Sequence, residues 1–577
     1  MEDALYDTKY DVVLVGTGIV ESIVAGALAR AGKKVLHLDT NDYYGSNYAS
    51  LTFDQFQDWM AAPLREPSPS SADVVPLTSS FHCSKLHEAR ADDFTPRSTS
   101  FSIDVHPKVL LSSSPLVDVL VHSGVGRYLD FMAMHQTCMY TPQPPHPPVW
   151  QVPCSKTDVF KSRLSVLEKR HLMKFLQFVA DYGDDDATTL NERDLAVGRA
   201  LKRPQNKRNQ KATAADLATY AGLVEALTEH FKLSPTLRDV VLHAVLLLTE
   251  TPVADLPAGP SLDRIFGFLS SIGRFAPSPF LTPLYGIAEV GQAFCRLSAV
   301  YGGVYYLRAP LTGYYVAGDR VVSLATTDAA KCWTADHFVV NAMYAAPWGA
   351  APKSTCLLRG VFLFRGARDR TVIVVPPHRL RGHPFALHAL ALDGTTAVCP
   401  AEHTLVHLST PVSTAMPVAE MIALLQEAVA ALFPTDVAVW ESTFTVPVYG
   451  PVPSTRPANL HVCDTHADVA LETTLESAVQ EAKAIFYAIC PDADFLPKSA
   501  SAEQAETEAA AEADEAALLL QAATTLLHAD TPPTPPVAAT TPKAAAAPEP
   551  AATYTSGPAA AAMASEGTAA SVTAYDL

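Results

Sequence analysis

Residues 1–50 alternate between apolar runs and a helical pattern, in the order strand, helix, strand. The run Tyr10–Val15 (YDVVLV) predicts a buried parallel strand, and the turn Gly16-Thr17-Gly18-Ile19-Val20-Glu21 follows it. Helical spacing continues to Gly32, and a second strand, Lys34–Leu38, ends at Asp39. This order predicts a βαβ unit with a dinucleotide-binding fingerprint, in which Gly16, Gly18 and Asp39 hold the expected positions.

Helical periodicity dominates residues 106–275. The segment Arg163–Tyr182 places five side chains on one predicted face at helical spacing: Leu164, Leu167, His171, Phe175 and Val179. Pro115–Phe131 and Leu237–Thr249 are similarly apolar, whereas Lys202–Lys211 (KRPQNKRNQK) is basic and predicts a solvated loop or, alternatively, a contact with anionic membrane.

Short strand patterns return after residue 276, and they predict the second half of an α/β domain. The predicted strands are Gly303–Leu307, His337–Val340, Thr371–Val375 and Thr404–Leu408, and a helix over Thr474–Ile489 closes the folded part. We therefore expect domain I in two parts, 1–105 and 276–497, with a mainly helical domain II over 106–275 inserted between them. Residues 60–100 predict a surface insertion, and the Ala/Pro-rich stretch 498–577 predicts a disordered tail.

Charge and cysteine usage narrow the classes of function. The formal net charge of −18 argues against nucleic-acid binding as the main activity. The nine cysteines form no CxxC pair, and no histidine cluster has ligand spacing, so we expect a reducing compartment and no structural metal. Without an apolar signal core at the N-terminus, the expectation is a cytosolic protein.

Glu21 stands where the fingerprint has its third glycine. A carboxylate in the first helical turn suits the helix dipole, and it would occupy the place of a bound pyrophosphate. The pattern thus predicts a dinucleotide fold without its cofactor. Two alternatives remain open from the residues alone: a domain that binds flavin or nicotinamide despite Glu21, or a glutamate that merely compensates the helix dipole.

Longer blocks of sequence resemble the superfamily of Rab GDP-dissociation inhibitors and Rab escort proteins. The blocks are YDVVLVGTGIVES, GKKVLHLDTNDYYGSNYASL, Gln151–Tyr182, Ser278–Leu307 and Ala484–Pro497. The resemblance covers roughly residues 8–497, and the third and last blocks are more similar to the escort proteins.

The resemblance implies a fold and a set of partners. The fold is α/β plus α: a flavoprotein-like domain I, an inserted helical domain II, and no cofactor. The partners are GDP-bound Rab GTPases, Rab geranylgeranyltransferase and the geranylgeranyl lipid of Rab, with transient membrane contact. The chain would be a non-catalytic accessory of the transferase. A Rab GDP-dissociation inhibitor and, less favoured, an active FAD-dependent oxidoreductase are the alternatives.

The family's Rab-binding platform corresponds to five positions here: Tyr44, Glu289, Arg296, Val304 and Tyr306. Glu289 and Arg296 lie two helical turns apart, so a helix would present both on one face. Without the resemblance, a weak intrahelical ion network worth ~0.5 kcal/mol would be the simpler interpretation.

The resemblance also implies a lipid pocket and a transferase contact. Leu116, Leu120, Val241 and Val245, on two apolar helices, are the candidates for the prenyl pocket, although apolar helix faces usually belong to a core. Phe268 is the candidate for transferase docking, as an exposed aromatic side chain, with a core position as the alternative.

Overall fold

The computed structural model describes residues 5–6, 8–62, 74–77, 83–142, 148–154, 156–162, 164–183, 222–250, 256–450, 452–453, 455–463 and 475–499. The strands are β1 (Lys9–Val15), β2 (Val35–Leu38), β3 (Ser50–Leu51), β4 (Val74–Pro76), β5 (Ser84–Arg90), β6 (Ile103–Asp104), β7 (Leu110–Leu111), β8 (Phe131–Ala133), β9 (Gln136–Tyr140), β10 (Val149–Gln151), β11 (Phe280–Pro283), β12 (Val304–Tyr306), β13 (Leu311–Ala317), β14 (Arg320–Thr326), β15 (Cys332–Asn341), β16 (Pro352–Arg365), β17 (Thr371–Val375), β18 (Leu387–Asp393), β19 (His403–Ser413), β20 (Ala438–Tyr449) and β21 (Leu460–Cys463). The helices are α1 (Ile19–Arg30), α2 (Phe53–Ala61), α3 (Pro115–Ser123), α4 (Lys156–Lys161), α5 (Val166–Gly183), α6 (Leu223–Glu225), α7 (Pro235–Asp239), α8 (Ala258–Ser271), α9 (Ala288–Val300), α10 (Val418–Leu432) and α11 (Leu475–Ile489). Helix α6 continues as a π-helix over Ala226–His230, and α7 continues as one over Val240–Val245.

The first large sheet contains the predicted βαβ unit. Its strand order is β12-β2-β1-β15-β14-β13-β4, and β21 also pairs with the long strand β15. Strand β1 is parallel to both β2 and β15, with Val12 opposite Val35 on one side and His337 on the other. The carboxyl ends of β1, β2, β12 and β15 therefore meet at one edge, where ligands of such sheets bind.

The second large sheet is mostly antiparallel, in the order β10-β9-β17-β18-β19-β16-β20-β5. Its edge strand β5 comes from the stretch 60–100, and β4 from the same stretch joins the first sheet. Both segments are edge strands, a pairing that the prediction of a surface insertion did not include. Every residue of β5 is half-buried or exposed. Because backbone hydrogen bonds hold such an edge strand, its sequence needs little apolar alternation, and the strand pattern was therefore weak.

The region 106–275 contains helices and also strands β7 to β10. Strand β9 pairs in parallel with β17, with Cys138 opposite Ile373, so part of this region belongs to the second sheet rather than to a separate helical unit. Helices α5 to α8 share one hydrophobic cluster, which we call the helical cluster; it includes Phe175, Val179, Leu237 and Ile265.

Helix α5 is present as predicted, but the predicted apolar face is partly wrong. Leu164, Phe175 and Val179 are buried, whereas His171 is half-buried and Leu167 is 61% exposed. Each step of four residues turns about 40° beyond a full turn, so a row at that spacing drifts around the helix. Leu172, Phe175 and Val179 form the buried stripe instead.

Helices α1, α3, α9 and α11 pack together in the cluster that covers the βαβ unit, which we call the domain I cluster. Its members include Ile23, Leu116, Phe294 and Phe486. The closing helix was predicted over Thr474–Ile489, and α11 agrees with that prediction to one residue. The chain divides after Thr507, and every described residue precedes that point. The predictions for Lys202–Lys211 and for the tail beyond Ser499 lie outside the described residues.

Candidate functional site

Asp39 holds the dinucleotide loop together through its own carboxylate. Its Oδ2 accepts hydrogen bonds from the backbone N–H and hydroxyl of Thr17 at 2.8 and 2.6 Å and from the Ser46 hydroxyl at 2.8 Å. Its Oδ1 accepts from the backbone and side-chain amides of Asn41, both at 2.9 Å. In dinucleotide-binding proteins the acid at this position binds a ribose hydroxyl. Here both oxygens are occupied by groups of the chain.

Glu21 fills the position next to the Gly18 backbone. The side chain is 1% exposed, and its Oε1 accepts a hydrogen bond of 2.8 Å from the Asn341 amide at the end of β15. Burial is the largest cause that raises the pKa of Glu21 to about 7, and the nearby Asp39 raises it further, whereas the bond from Asn341 opposes the rise. A second, anionic group here would meet this carboxyl, so the residues present do not fit a dinucleotide pyrophosphate.

The loop that follows β2 carries Tyr44 to the edge of the sheet. The Tyr44 ring lies 6.1 Å from that of Tyr305 on β12, and burial raises the pKa of Tyr44. Cys295 on α9 lies in the same group, and its Sγ is 3.3 Å from the Ser22 hydroxyl on α1. The loop, β12 and α9 therefore converge at this edge.

Val304 and Tyr306 point away from Tyr44. Alternate residues of a strand face opposite sides, and Tyr305 is the one that faces the Tyr44 ring. Val304 and Tyr306 instead pack on the cluster beneath β13 and β14, with the Tyr306 ring 5.8 Å from Trp333. The period of two in VYY was the signal that could have identified Tyr305 from the sequence.

Glu289 and Arg296 both lie on helix α9, as their spacing of two helical turns would require for a shared face. Glu289 is in its first turn, and its Oε1 accepts a hydrogen bond of 3.1 Å from Gln292. Burial raises the pKa of Glu289. Arg296 is exposed, and its guanidinium stacks over the Tyr128 ring at 4.4 Å from the ring centroid. An arginine held over an aromatic face loses less side-chain freedom when it contacts a partner.

The amino end of α9 is capped by two distant side chains, those of Asp104 and Ser50, which approach the backbone beside Gly286; we call these three residues the α9 clamp. The Asp104 carboxylate accepts hydrogen bonds from the Ile287 N–H at 3.0 Å and the Ser50 hydroxyl at 2.5 Å. The Ser50 oxygen in turn accepts from the Ala288 N–H at 3.0 Å. Burial raises the pKa of Asp104 to about 6, against the opposing effect of these bonds and of Arg359. The clamp satisfies two backbone donors at the start of α9.

Gly286 makes this close approach possible. Its φ of +94° is in the left-handed region, and a Cβ there would overlap the Asp104 and Ser50 oxygens. Sequence reasoning missed the clamp, because its members come from three separate segments of the chain.

The four candidates for the prenyl pocket do not line one groove. Leu116 and Leu120 on α3 are buried in the domain I cluster. Val241 is buried in the helical cluster, and Val245 is partly buried where three clusters meet. The pair on α3 therefore belongs to the domain I cluster, whereas Val241 and Val245 belong to or border the helical cluster.

Phe268 is a core residue, so the expectation of an exposed aromatic is wrong at this position. It is 2% exposed, and its ring packs edge-to-face on Phe280 with centroids 5.7 Å apart. Phe275, just after α8, is 58% exposed, and the neighbouring Arg274 binds Asp118 at 2.8 Å. Near the carboxyl end of α8, Phe268 therefore faces the core, and just beyond that same end Phe275 faces solvent.

Among the described residues, no group of three or more His, Cys, Asp and Glu side chains could hold a metal ion. In the same part of the chain, no helix has the length and apolar character needed to cross a bilayer.

The site thus combines a dinucleotide-type sheet, whose loop is filled by Glu21 and Asp39, with the clamped helix α9, which carries the half-buried Glu289 and the exposed Arg296. A family model described as GDP dissociation inhibitor matches residues 6–72, 67–202 and 204–490. The chain belongs to the GDP dissociation inhibitor family.

Curated relatives and a solved structure agree with this assignment. A "Rab proteins geranylgeranyltransferase component A" of Drosophila melanogaster is 30% identical over 516 residues, which is 86% of this chain and 91% of that protein. A "Rab GDP-dissociation inhibitor" of Saccharomyces cerevisiae is 27% identical over 427 residues, 73% of this chain and 84% of that protein. The crystal structure of a Rab GDI from Plasmodium falciparum superposes with a TM-score of 0.61 at 21% identity, and the match covers 83% of this chain and 98% of that one. This last similarity confirms the predicted fold.

Proposed function

We propose that this chain is a Rab escort protein. It binds GDP-loaded Rab GTPases, presents them to Rab geranylgeranyltransferase for prenylation, and delivers the lipidated product to membranes. It acts from the cytosol as a non-catalytic accessory of the transferase. The observation that carries the choice is coverage: the similarity to the Drosophila component A spans 86% of this chain, and that to the yeast inhibitor spans 73%.

The proposed Rab-binding surface centres on Tyr44, Glu289 and Arg296. Tyr44 and α9 meet at the same sheet edge, through the contacts of Tyr305 and Cys295. Aromatic and arginine side chains are frequent anchors of protein interfaces. Val304 and Tyr306 are secondary members of the proposal, because they support β12 from its other face.

For the lipid, we place the proposed site at the helical cluster. Val241 and Val245 lie there, and a prenyl chain needs an apolar groove that competes with membrane. Val245 borders three clusters, so a modest separation of the helices would open a path at this side chain. Leu116 and Leu120 become the weaker candidates.

A reconstituted prenylation reaction tests the proposal. A Rab, the transferase and geranylgeranyl diphosphate are combined with or without this chain, and lipid incorporation is measured. We expect incorporation to depend on the chain. If lipid transfer is the same with and without the chain, and the chain extracts prenylated Rab from membranes, the chain is a Rab GDP-dissociation inhibitor instead.

Nucleotide dependence tests Rab binding itself. A Rab loaded with GDP should bind more tightly than the same Rab loaded with a GTP analogue, as titration calorimetry would show. Equal affinities would contradict the proposal, because a ligand that binds both states equally shifts no equilibrium.

A further inference from the structure

Three large apolar side chains lie exposed together at the junction of α4 and α5. Phe160 is 71% exposed, Val166 is 86% exposed and Leu167 is 61% exposed. Lys169 donates a hydrogen bond of 2.8 Å to the Phe160 carbonyl, which holds the end of α4 against the first turn of α5. We call Phe160, Val166 and Leu167 the junction patch.

The core does not need the junction patch. Val159 and Leu164, which flank it in sequence, are buried in the helical cluster, and α5 buries Leu172 and Phe175 there. Folding therefore leaves three neighbouring apolar side chains in water, whereas exposed apolar residues on a protein surface are more commonly scattered singly.

Basic residues are concentrated in the sequence around the patch, although the chain as a whole is acidic. Residues 156–174 contain six basic residues against two acids: Lys156, Lys161, Arg163, Lys169, Arg170 and Lys174 against Asp158 and Glu168. Lys161, Arg170 and Lys174 are exposed, and Leu167, Arg170 and Lys174 share a helix face by their spacing.

The Glu168 carboxylate accepts hydrogen bonds from other groups of the chain. Its Oε2 accepts hydrogen bonds from the Ser165 N–H at 3.0 Å and the Ser165 hydroxyl at 2.8 Å, which caps α5, and its Oε1 accepts from Ser234 at 2.8 Å. Local charge and apolar exposure thus coincide in a chain whose formal net charge is −18.

We propose that the junction patch and its cations dock on the surface of an anionic lipid bilayer. Apolar side chains enter the interfacial region while the cations attract anionic headgroups, the combination that peripheral membrane contacts use. A protein partner is less suited, because the centres of protein interfaces are depleted in lysine. The proposal deepens the delivery step of the proposed function and rests on it for its role, but vesicle binding by the chain alone does not require Rab.

Vesicle flotation tests the proposal with the full chain. Vesicles of phosphatidylcholine are compared with vesicles containing roughly a third phosphatidylserine, at low and high salt. We expect about tenfold stronger binding to the anionic vesicles and a loss of most of that difference at high salt. The variants Phe160→Ser/Val166→Ser/Leu167→Ser and Lys161→Glu/Arg170→Glu should each bind about tenfold more weakly.

A matched control removes exposed apolar side chains elsewhere. Val418 is the first residue of α10, as Val166 is of α5, and Val418 and Val437 are 50% and 84% exposed. The Val418→Ser/Val437→Ser variant should bind anionic vesicles as the parent chain does. Thermal melting of each variant verifies that the fold is retained.

Three results would overturn the proposal. These are equal binding to neutral and anionic vesicles, junction-patch variants that bind like the parent, and no vesicle binding by the parent. In the last case, reduced lipid transfer by the junction-patch variant would assign the surface to a protein partner. Rab affinity is measured in parallel, so a failure of Rab binding with intact vesicle binding would count against the proposed function alone.

Discussion

At the residue scale, Glu21 determines the character of the dinucleotide loop. It bonds to Asn341 and lies against Gly18, so a side chain of the protein performs the bridging between helix and sheet that a cofactor would otherwise provide. The neighbouring Asp39 is held by Thr17, Ser46 and Asn41 in a similar way. Both carboxyl groups were visible in the sequence, and their mutual arrangement was not.

The buried Glu21 carboxyl predicts a pH dependence of stability. Its pKa is raised from 4.5 to about 7, so the folded state binds this proton more tightly than the unfolded chain. The contribution of Glu21 to the free energy of unfolding is therefore fully present below pH 4.5 and is lost as the pH rises through about 7. The total loss is about 3 kcal/mol. Urea unfolding measures the free energy of unfolding at pH 5 and at pH 8. Its decrease from pH 5 to pH 8 should be smaller for Glu21→Gln than for the parent. Parallel decreases in the two proteins would show that Glu21 does not titrate in this window.

Arg296 predicts a selective loss of Rab affinity. Arg296→Ala should weaken binding of GDP-loaded Rab by ~2 kcal/mol or more, roughly 30-fold, because an exposed arginine anchor is lost. Its melting temperature should change little, since the cation–π contact with Tyr128 is near the surface. Arg365→Ala is the matched control, an exposed arginine on the second sheet that binds Asp93. A strongly lowered melting temperature with unchanged affinity would make Arg296 a structural residue.

At the element scale, helix α9 is the unit that presents the proposed Rab-binding charges. It packs along α1 through Phe294 and Leu297, and its amino end is set by the α9 clamp. The sequence showed that a helix would present Glu289 and Arg296 on one face, whereas the clamp depends on Ser50 and Asp104, more than 180 residues earlier in the chain.

Gly286 provides a sensitive test of the clamp. Gly286→Ala should destabilise the protein by more than Gly302→Ala, because both have positive φ but only at Gly286 would a Cβ meet other atoms. The backbone cost alone is of order 1–3 kcal/mol and is common to both variants. Urea unfolding measures this difference in the free energy of unfolding. Equal losses for the two variants would mean that Asp104 and Ser50 can move aside for the added Cβ without destabilising the protein.

Asp104→Ala tests the same clamp from the acceptor side. Leaving the Ile287 N–H without its acceptor should cost ~1–3 kcal/mol of stability. Asp104→Asn keeps an acceptor oxygen and should recover part of the loss, as measured by the same unfolding experiment. An Asn variant no better than Ala would show that the charge matters more than the hydrogen bond.

At the scale of the whole molecule, the fold keeps the sheet of a dinucleotide-binding protein, and the proposed Rab-binding surface lies at the edge of that sheet. The second sheet draws strands from residues 84–90, 136–140 and 352–449, so the two predicted domains share a framework. Because this sheet includes strands from the region that the sequence predicted to be helical, periodicity along the chain separated the α/β and helical parts only approximately.

The purified protein is expected to be colourless. Because Glu21 takes the place of a pyrophosphate and the Asp39 carboxylate is already bound by Thr17, Ser46 and Asn41, the absorbance spectrum should lack flavin bands after incubation with FAD and dialysis. Stoichiometric FAD that survives dialysis would contradict this expectation and favour the oxidoreductase alternative.

The sequence by itself determined the elements that local chemistry controls. The βαβ unit, helices α5 and α11, and strand β17 follow from apolar spacing and turn residues, and Glu21 in the glycine-rich turn indicated the altered loop. Tertiary structure decided which residues face one another. It buried Phe268, turned Val304 and Tyr306 away from Tyr44, exposed Leu167, and placed β5 at a sheet edge. These outcomes depend on contacts between distant segments, and hydrophobicity along the chain carries no information about which distant segment covers a given face.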